Sequence, residues 1–107
     1  MSNTLYYGLV KGKLEYGFSK FEGSSSIELS ETGSKTVYVI KGETYYGDHF
    51  KSIVISESYE GAEEEVNEMV EKHFGLYGYG HPESSFEIES EYKTNTENEG
   101  VRHINYT

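Results

Sequence analysis

The sequence predicts an α+β domain: a mostly antiparallel sheet of about five to seven strands, with one amphipathic helix packed on a face and a C-terminal hairpin. Three observations carry that expectation. Short runs rich in β-branched and aromatic residues recur between glycine- and serine-containing turns, a single stretch (residues 59–74) shows helical periodicity, and 12 Gly against 1 Pro suits tight connections between strands. A chain of 107 residues builds one modest core, so residues 1–107 read as a single domain. With 11 Tyr and 5 Phe in a composition only 35% apolar, that core has to lean on aromatic rings.

Taken in order, LYYGLV (5–10) and LEYGFSKF (14–21) flank Lys11-Gly12-Lys13 and read as a hairpin. SSIELS (25–30) alternates, with Ile27 and Leu29 inward and Ser26 and Glu28 outward. KTVYVIK (35–41) leaves neither face polar through Val37, Tyr38, Val39 and Ile40, as a central strand does, and FKSIVIS (50–56) is a second well-buried strand. In the helix YEGAEEEVNEMVEKHF, Ser58 is placed to cap the N-terminus and Gly75 to end it. Ala62, Val66, Met69, Val70 and His73 gather on one side of it to face the sheet. Gly61 in the first turn costs up to ~1 kcal/mol relative to Ala, so this helix depends on packing. SFEIESEY (85–92) alternates cleanly, with Phe86, Ile88 and Tyr92 on one face and Glu87, Glu89 and Glu91 on the other. The polar turn TNTENEG (94–100) then leads to VRHINY (101–106), and these last two strands read as the antiparallel hairpin.

Charge is distributed unevenly along this chain. Of 19 acidic residues, 13 lie between Glu57 and Glu99, opposed there only by Lys72 and Lys93, whereas residues 1–56 balance. A field of one sign selects partners of the other, and it repels anionic membranes and nucleic-acid phosphates, so neither a membrane nor direct nucleic-acid binding is expected. The acids are almost all Glu, the only Asp being Asp48, which suits surface display better than capping or compact metal cages. The absence of Cys removes disulfides, thiolate zinc sites and cysteine nucleophiles, and with no signal-like or bilayer-length apolar run it points to a cytoplasmic setting.

Two acidic ladders are the candidate partner-binding elements. On the helix, Glu60, Glu64, Glu68 and Glu71 recur at offsets of 4, 4 and 3, with Glu65 beside them. Like charges at this spacing cost roughly 0.2–0.5 kcal/mol per pair, and Glu71 sits near the negative end of the helix dipole, so local stability accounts only for the acids of the first turn and not for Glu68 and Glu71. On the strand, Glu87, Glu89 and Glu91 stand about 6.7 Å apart. Side by side, the two ladders would form one sheet of carboxylates able to compete with a nucleic-acid backbone for a basic groove. Tyr77 and Tyr79, in the glycine-rich loop that follows the helix, are the candidate anchors beside that acidic surface, and Tyr45 and Tyr46 lie in a second loop.

Other chemistries lack their patterns. Histidines 49, 73, 81 and 103 have no metal-ligand spacing, the Glu run lacks the order of a calcium loop, and Gly75, Gly78 and Gly80 precede no helix that could cradle phosphate. No cofactor and no metal are expected. The carboxylates fall on faces expected to be wet, where strong pKa tuning is absent, so no enzymatic activity is expected either.

Small size, absence of cysteine, regional acidity and abundant tyrosine, together with the strand, strand, acidic helix and aromatic loop of residues 35–80, resemble the anti-CRISPR and anti-restriction inhibitors that phages and mobile elements direct at host nucleases. Those families differ in fold, so no residue is carried over by match. The resemblance implies a non-enzymatic inhibitor in the host cytoplasm. Its carboxylates would take the place of phosphates on the basic surface of a CRISPR effector or restriction nuclease. The residues leave two alternatives open: an accessory domain whose acidity serves solubility, or a small-ligand binder that forms a homodimer or larger homo-oligomer.

Overall fold

A computed structural model of the chain describes residues 3–44, 47–75 and 85–106. It contains β1 (Thr4–Val10), β2 (Lys13–Gly17), β3 (Ser25–Glu28), β4 (Lys35–Glu43), β5 (His49–Ser56), α1 (Tyr59–Phe74), β6 (Ser85–Thr94) and β7 (Gly100–Tyr106). The class is α+β, and all strand pairings are antiparallel. The strands divide between two sheets, a three-stranded sheet of order β2-β1-β3 and a four-stranded sheet of order β6-β4-β5-β7.

The division follows from β4 and β5, whose side chains are apolar on both faces. Val37, Val39, Ile53 and Ile55 point to the smaller sheet and meet Leu5, Tyr7, Leu14 and Ile27. Tyr38, Ile40, Phe50 and Val54 point the other way and meet Ala62, Val66 and Val70 of α1. The larger sheet is therefore the middle of three layers. Each buried Val or Ile contributes on the order of 1.5–3 kcal/mol, so neither face can be left wet.

Local signals act as expected at both ends of the helix. The Ser58 hydroxyl accepts a hydrogen bond from the Gly61 N–H, and Gly75 adopts φ 70° while its N–H bonds the Glu71 carbonyl. A Cβ on Gly61 would lie 2.9 Å from the Ser56 hydroxyl and 3.2 Å from that of Ser58, so glycine keeps room for the cap. His73 and Met69, expected on the buried stripe, are exposed. His73 instead stacks flat on Tyr106, with ring centres 3.6 Å apart. At the β1–β2 turn, Lys11 and Gly12 both take positive φ, 54° and 80°, as a two-residue turn of this hand requires.

Two features depart from the reading of the sequence. The last two strands do not pair with each other: β6 lies beside β4 and β7 beside β5, so they form opposite edges of the larger sheet. The link from Asn95 to Glu99 spans the ends of β4 and β5, a width of about 14 Å at the usual strand spacing. Lys35 holds it by donating to the Thr96 and Glu97 carbonyls at 3.2 and 3.0 Å. Both edge strands also carry a register shift. Glu89 is an extra residue between Ser90, opposite Val39, and Ile88, opposite Ile40, and Arg102 is skipped between His103 and Val101.

The smaller sheet crosses the larger one steeply. Asn105 of β7 donates to the Gly12 carbonyl at one end of β2, while Tyr16 near its other end bonds Glu89 and Ser90 of β6. The four residue steps from 12 to 16 cover about 13–14 Å, comparable to the width of the four-stranded sheet, so β2 crosses that sheet from the β7 edge toward the β6 edge and does not run along its strands. The sandwich is closed beyond β3, where Thr94 donates to the Glu28 carbonyl at 2.6 Å and Ser30 N–H bonds the Lys93 carbonyl at 2.9 Å.

Thr94 is fully buried and its hydroxyl also accepts from the Thr96 N–H at 3.2 Å. Replacing it with Val keeps the volume but orphans a carbonyl and an N–H. We expect Thr94→Val to lower unfolding free energy by about 1–3 kcal/mol in urea titration, with an unchanged m-value.

Candidate acidic interface and its counter-face

The shift at Glu89 decides where the acidic residues point. Phe86 and Ile88 join the core on the helix side of the larger sheet, whereas Tyr92 packs against the core on the opposite side. The sequence alternation that put these three on one face is broken between them. Glu87 lies opposite Lys41 and its carboxylate stands 4.0 Å from that ammonium. Glu89 reaches Lys51 at 3.2 Å and accepts from the Tyr16 hydroxyl at 2.7 Å. Both therefore face the smaller sheet. Glu91, opposite Tyr38, lies on the helix side, where the Tyr38 ring meets Tyr59 of α1 with centres 5.9 Å apart.

The two ladders consequently do not merge. Glu87 and Glu89 are turned away from α1 and matched with lysines, because an extra residue in a strand reverses the faces of everything beyond it. Only Glu91 remains with the helix. On α1 itself, Glu60, Glu64, Glu65 and Glu68 are exposed, and Glu71 is half-buried and accepts from the Asn67 side-chain amide at 3.1 Å. Among the described residues the ion pairs are those of Glu87 and Glu89, and no helix carboxylate takes part in one. Glu63, absent from the sequence expectation, hydrogen-bonds Tyr59, whose hydroxyl is pushed up to about 12 by burial and by this carboxylate.

The anchors proposed from sequence, Tyr77 and Tyr79, lie outside the described residues, as do Tyr45, Tyr46 and His81. Among the described residues no three His, Cys, Asp or Glu side chains are grouped to hold a metal ion, and no helix is long and apolar enough to cross a membrane.

On the counter-face, Tyr16 is the centre of an inter-sheet clasp. Its hydroxyl donates to Glu89 and lies 2.8 Å from the Ser90 hydroxyl, and Lys51 sits 5.8 Å from its ring centre. Burial, with the carboxylate beside it, pushes the phenol up to about 12. Burial opposes the charge on Glu89, but the bonds from Tyr16 and Lys51 outweigh it and hold the carboxyl below its ordinary value. No sequence signal marks Tyr16 for this role, since nothing local links it to a residue 73 positions away.

A phenol whose pKa is raised by folding adds stability that is complete below its unfolded value near 10 and is lost as pH rises to about 12. Tyr16→Phe should therefore cost about 1–2 kcal/mol at neutral pH, by loss of a hydrogen bond to a charged acceptor. The difference from the parent protein should shrink between pH 10 and 12 in urea titrations, while a pH-independent difference would show that only packing was lost.

No protein-family description matches this chain, and no curated protein or solved structure matches it either.

Proposed function

We propose that this protein is a non-enzymatic binding protein that docks the outward face of α1, with Glu91 beside it, onto a basic surface of a nucleic-acid-handling protein, and inhibits it by standing in for phosphates. The observation that carries this reading is the set Glu60, Glu64, Glu65, Glu68 and Glu71, which meets no cation among the described residues while Lys41 and Lys51 neutralise acids on the other side. Five carboxylates over the ~16 Å from residue 60 to residue 71 give about one charge per 4 Å, close to the ~3.4 Å per phosphate along one strand of duplex DNA. Rigid presentation helps as well. The face is carried by a helix packed through Ala62, Val66 and Val70, so little order is lost on docking.

The resemblance to small nuclease inhibitors names the kind of target: a CRISPR effector, restriction nuclease or similar protein with a groove lined by Lys and Arg. A patch of one sign accelerates encounter and makes it salt-dependent, with the Debye length falling to ~8 Å at physiological ionic strength.

Capture from a nuclease-treated bacterial lysate should recover a basic nucleic-acid-binding protein, released by added duplex DNA and by rising salt. Reversal of Glu64, Glu68 and Glu71 to Lys should weaken that capture at least ~100-fold, at roughly 1 kcal/mol or more per site, with helical circular dichroism retained. Glu87→Lys, on the counter-face, should leave it unchanged. Retained capture by the triple variant would remove the helix from the interface.

A further inference from the structure

The steep crossing of the two sheets leaves a step on the counter-face, and the step has the form of a missing strand. β2 is the edge of its sheet, and its free side runs across the larger sheet from Gly12, over β7, to Tyr16, over β6. Beyond that edge lies an open groove of about 740 Å³, with Lys13, Leu14 and Glu15 along one side. Its floor is the end of the larger sheet that no other described residues cover, where Val39 and Ile53 give way to Lys41 and Lys51, directly opposite each other, with Glu87 beyond Lys41 and Asn105 beyond Lys51.

The backbone of β2 suits an added strand. The two-residue turn makes Val10 and Lys13 a hydrogen-bonded pair, so bonding to β1 alternates through Lys13, Glu15 and Gly17. The N–H and C=O groups of Leu14 and Tyr16 are left pointing to the free edge. No backbone bond from another element reaches them among the described residues. A strand laid there would be the fourth of its sheet and would sit over the charged floor at the usual sheet separation of about 10 Å.

We propose that this groove binds an extended peptide segment by strand addition to β2, and that it selects an acidic residue and, two positions along, a basic one. Charge complementarity sets the pattern. Leu14, Lys41, Lys51 and Glu87 line the same groove, so the inward residue beside Leu14 would overlie the two lysines and the next inward residue, about 6.7 Å further toward β6, would overlie Glu87. Lys41 and Glu87 are available to such a ligand, because their mutual distance is 4.0 Å and their side chains are 45% and 73% exposed. Lys51 already meets Glu89 at 3.2 Å, so an acid in this position is held chiefly by Lys41, with Lys51 shared between it and Glu89. Main-chain bonds to Leu14 and Tyr16 supply the affinity that is indifferent to sequence. This site is independent of the acidic helix face, which it neither touches nor requires.

The test is selection of a random 12-residue phage-displayed peptide library on the full chain at physiological salt, with parallel selection on the Lys41→Gln/Lys51→Gln variant. Enrichment of sequences with an acid and a base two residues apart, absent from the variant, is the expected result. A synthetic peptide from the enriched set, at ten times its Kd, should slow amide hydrogen exchange of Leu14 and Tyr16 in the unmutated protein about ten-fold. That measurement decides the matter even if the variant is unstable. No enrichment, equal enrichment on a folded variant, or slowing confined to other amides would overturn the proposal. So would slowing of the same two amides with protein concentration alone, which would assign the groove to a second copy of this chain.

Discussion

The structure depends on two strands that are apolar on both faces. β4 and β5 cannot lie on a surface, so a layer is needed on each side of them, and the chain supplies unequal ones. The 16-residue helix covers one face along its length. The other receives three strands of seven, five and four residues that cross it steeply, and their reach is shorter than β4 itself. The side chains change character where the cover ends. Val39 and Ile53 are fully buried, whereas the next pair on the same face is Lys41 and Lys51. The boundary between core and groove is thus written into the alternation of two strands, and the open step is built in and not the result of loose packing.

A single extra residue in β6 reconciles the edge of the sheet with these two layers. Phe86 and Ile88 are needed on the helix side, where Phe86 meets the Phe50 ring at 5.4 Å, and Tyr92 is needed on the other, where it meets Phe18 at 5.5 Å. Strict alternation from residue 86 to residue 92 would put all three on one side. The bulge at Glu89 resolves the conflict and sends the Glu89 and Ser90 side chains together toward Tyr16. It also distorts a ten-residue edge that would otherwise offer a regular row of backbone groups, and Arg102 does the same for β7. Core packing, edge protection and the fate of two carboxylates therefore share one cause.

What could be read from the chain was whatever is encoded locally. Ser58 and Gly75 bound the helix, Lys11-Gly12 makes the first turn, and the run from Val37 to Ile40 declares a central strand, because caps, positive φ and double-sided burial each leave a signature within a few residues. The bulge left none. Phe86-Glu87-Ile88-Glu89-Ser90-Glu91-Tyr92 keeps its alternation straight through the break, and only pairing with β4 reveals that one residue has no partner. The link from Asn95 to Glu99 likewise has the composition of a hairpin turn, yet it bridges two edges, since the choice between adjacent and flanking positions lies in long-range pairing. Candidate site residues fared accordingly. Those on the helix share a face because helical periodicity is local, and those on the strand are divided because their register is not.

That division bears on what the acidity is for. A surface made acidic only for solubility has no reason to keep its charges sorted, and cations placed among them would serve as well. On β6 the two acids that face the smaller sheet have cations beside them, Glu89 with Lys51 at 3.2 Å and Glu87 with Lys41 at 4.0 Å, and Lys35 is committed to the carbonyls of Thr96 and Glu97. The helix carries its carboxylates four and three residues apart, at spacings where a lysine would add stability, and holds only Lys72 against them. Like-charge repulsion along α1 is thus retained where it is easiest to relieve, while equivalent repulsion on β6 is relieved by its neighbours. A charge pattern kept against local stability along the helix and countered on β6 is what the proposed docking of the helix face requires, whereas acidity for solubility requires no such sorting.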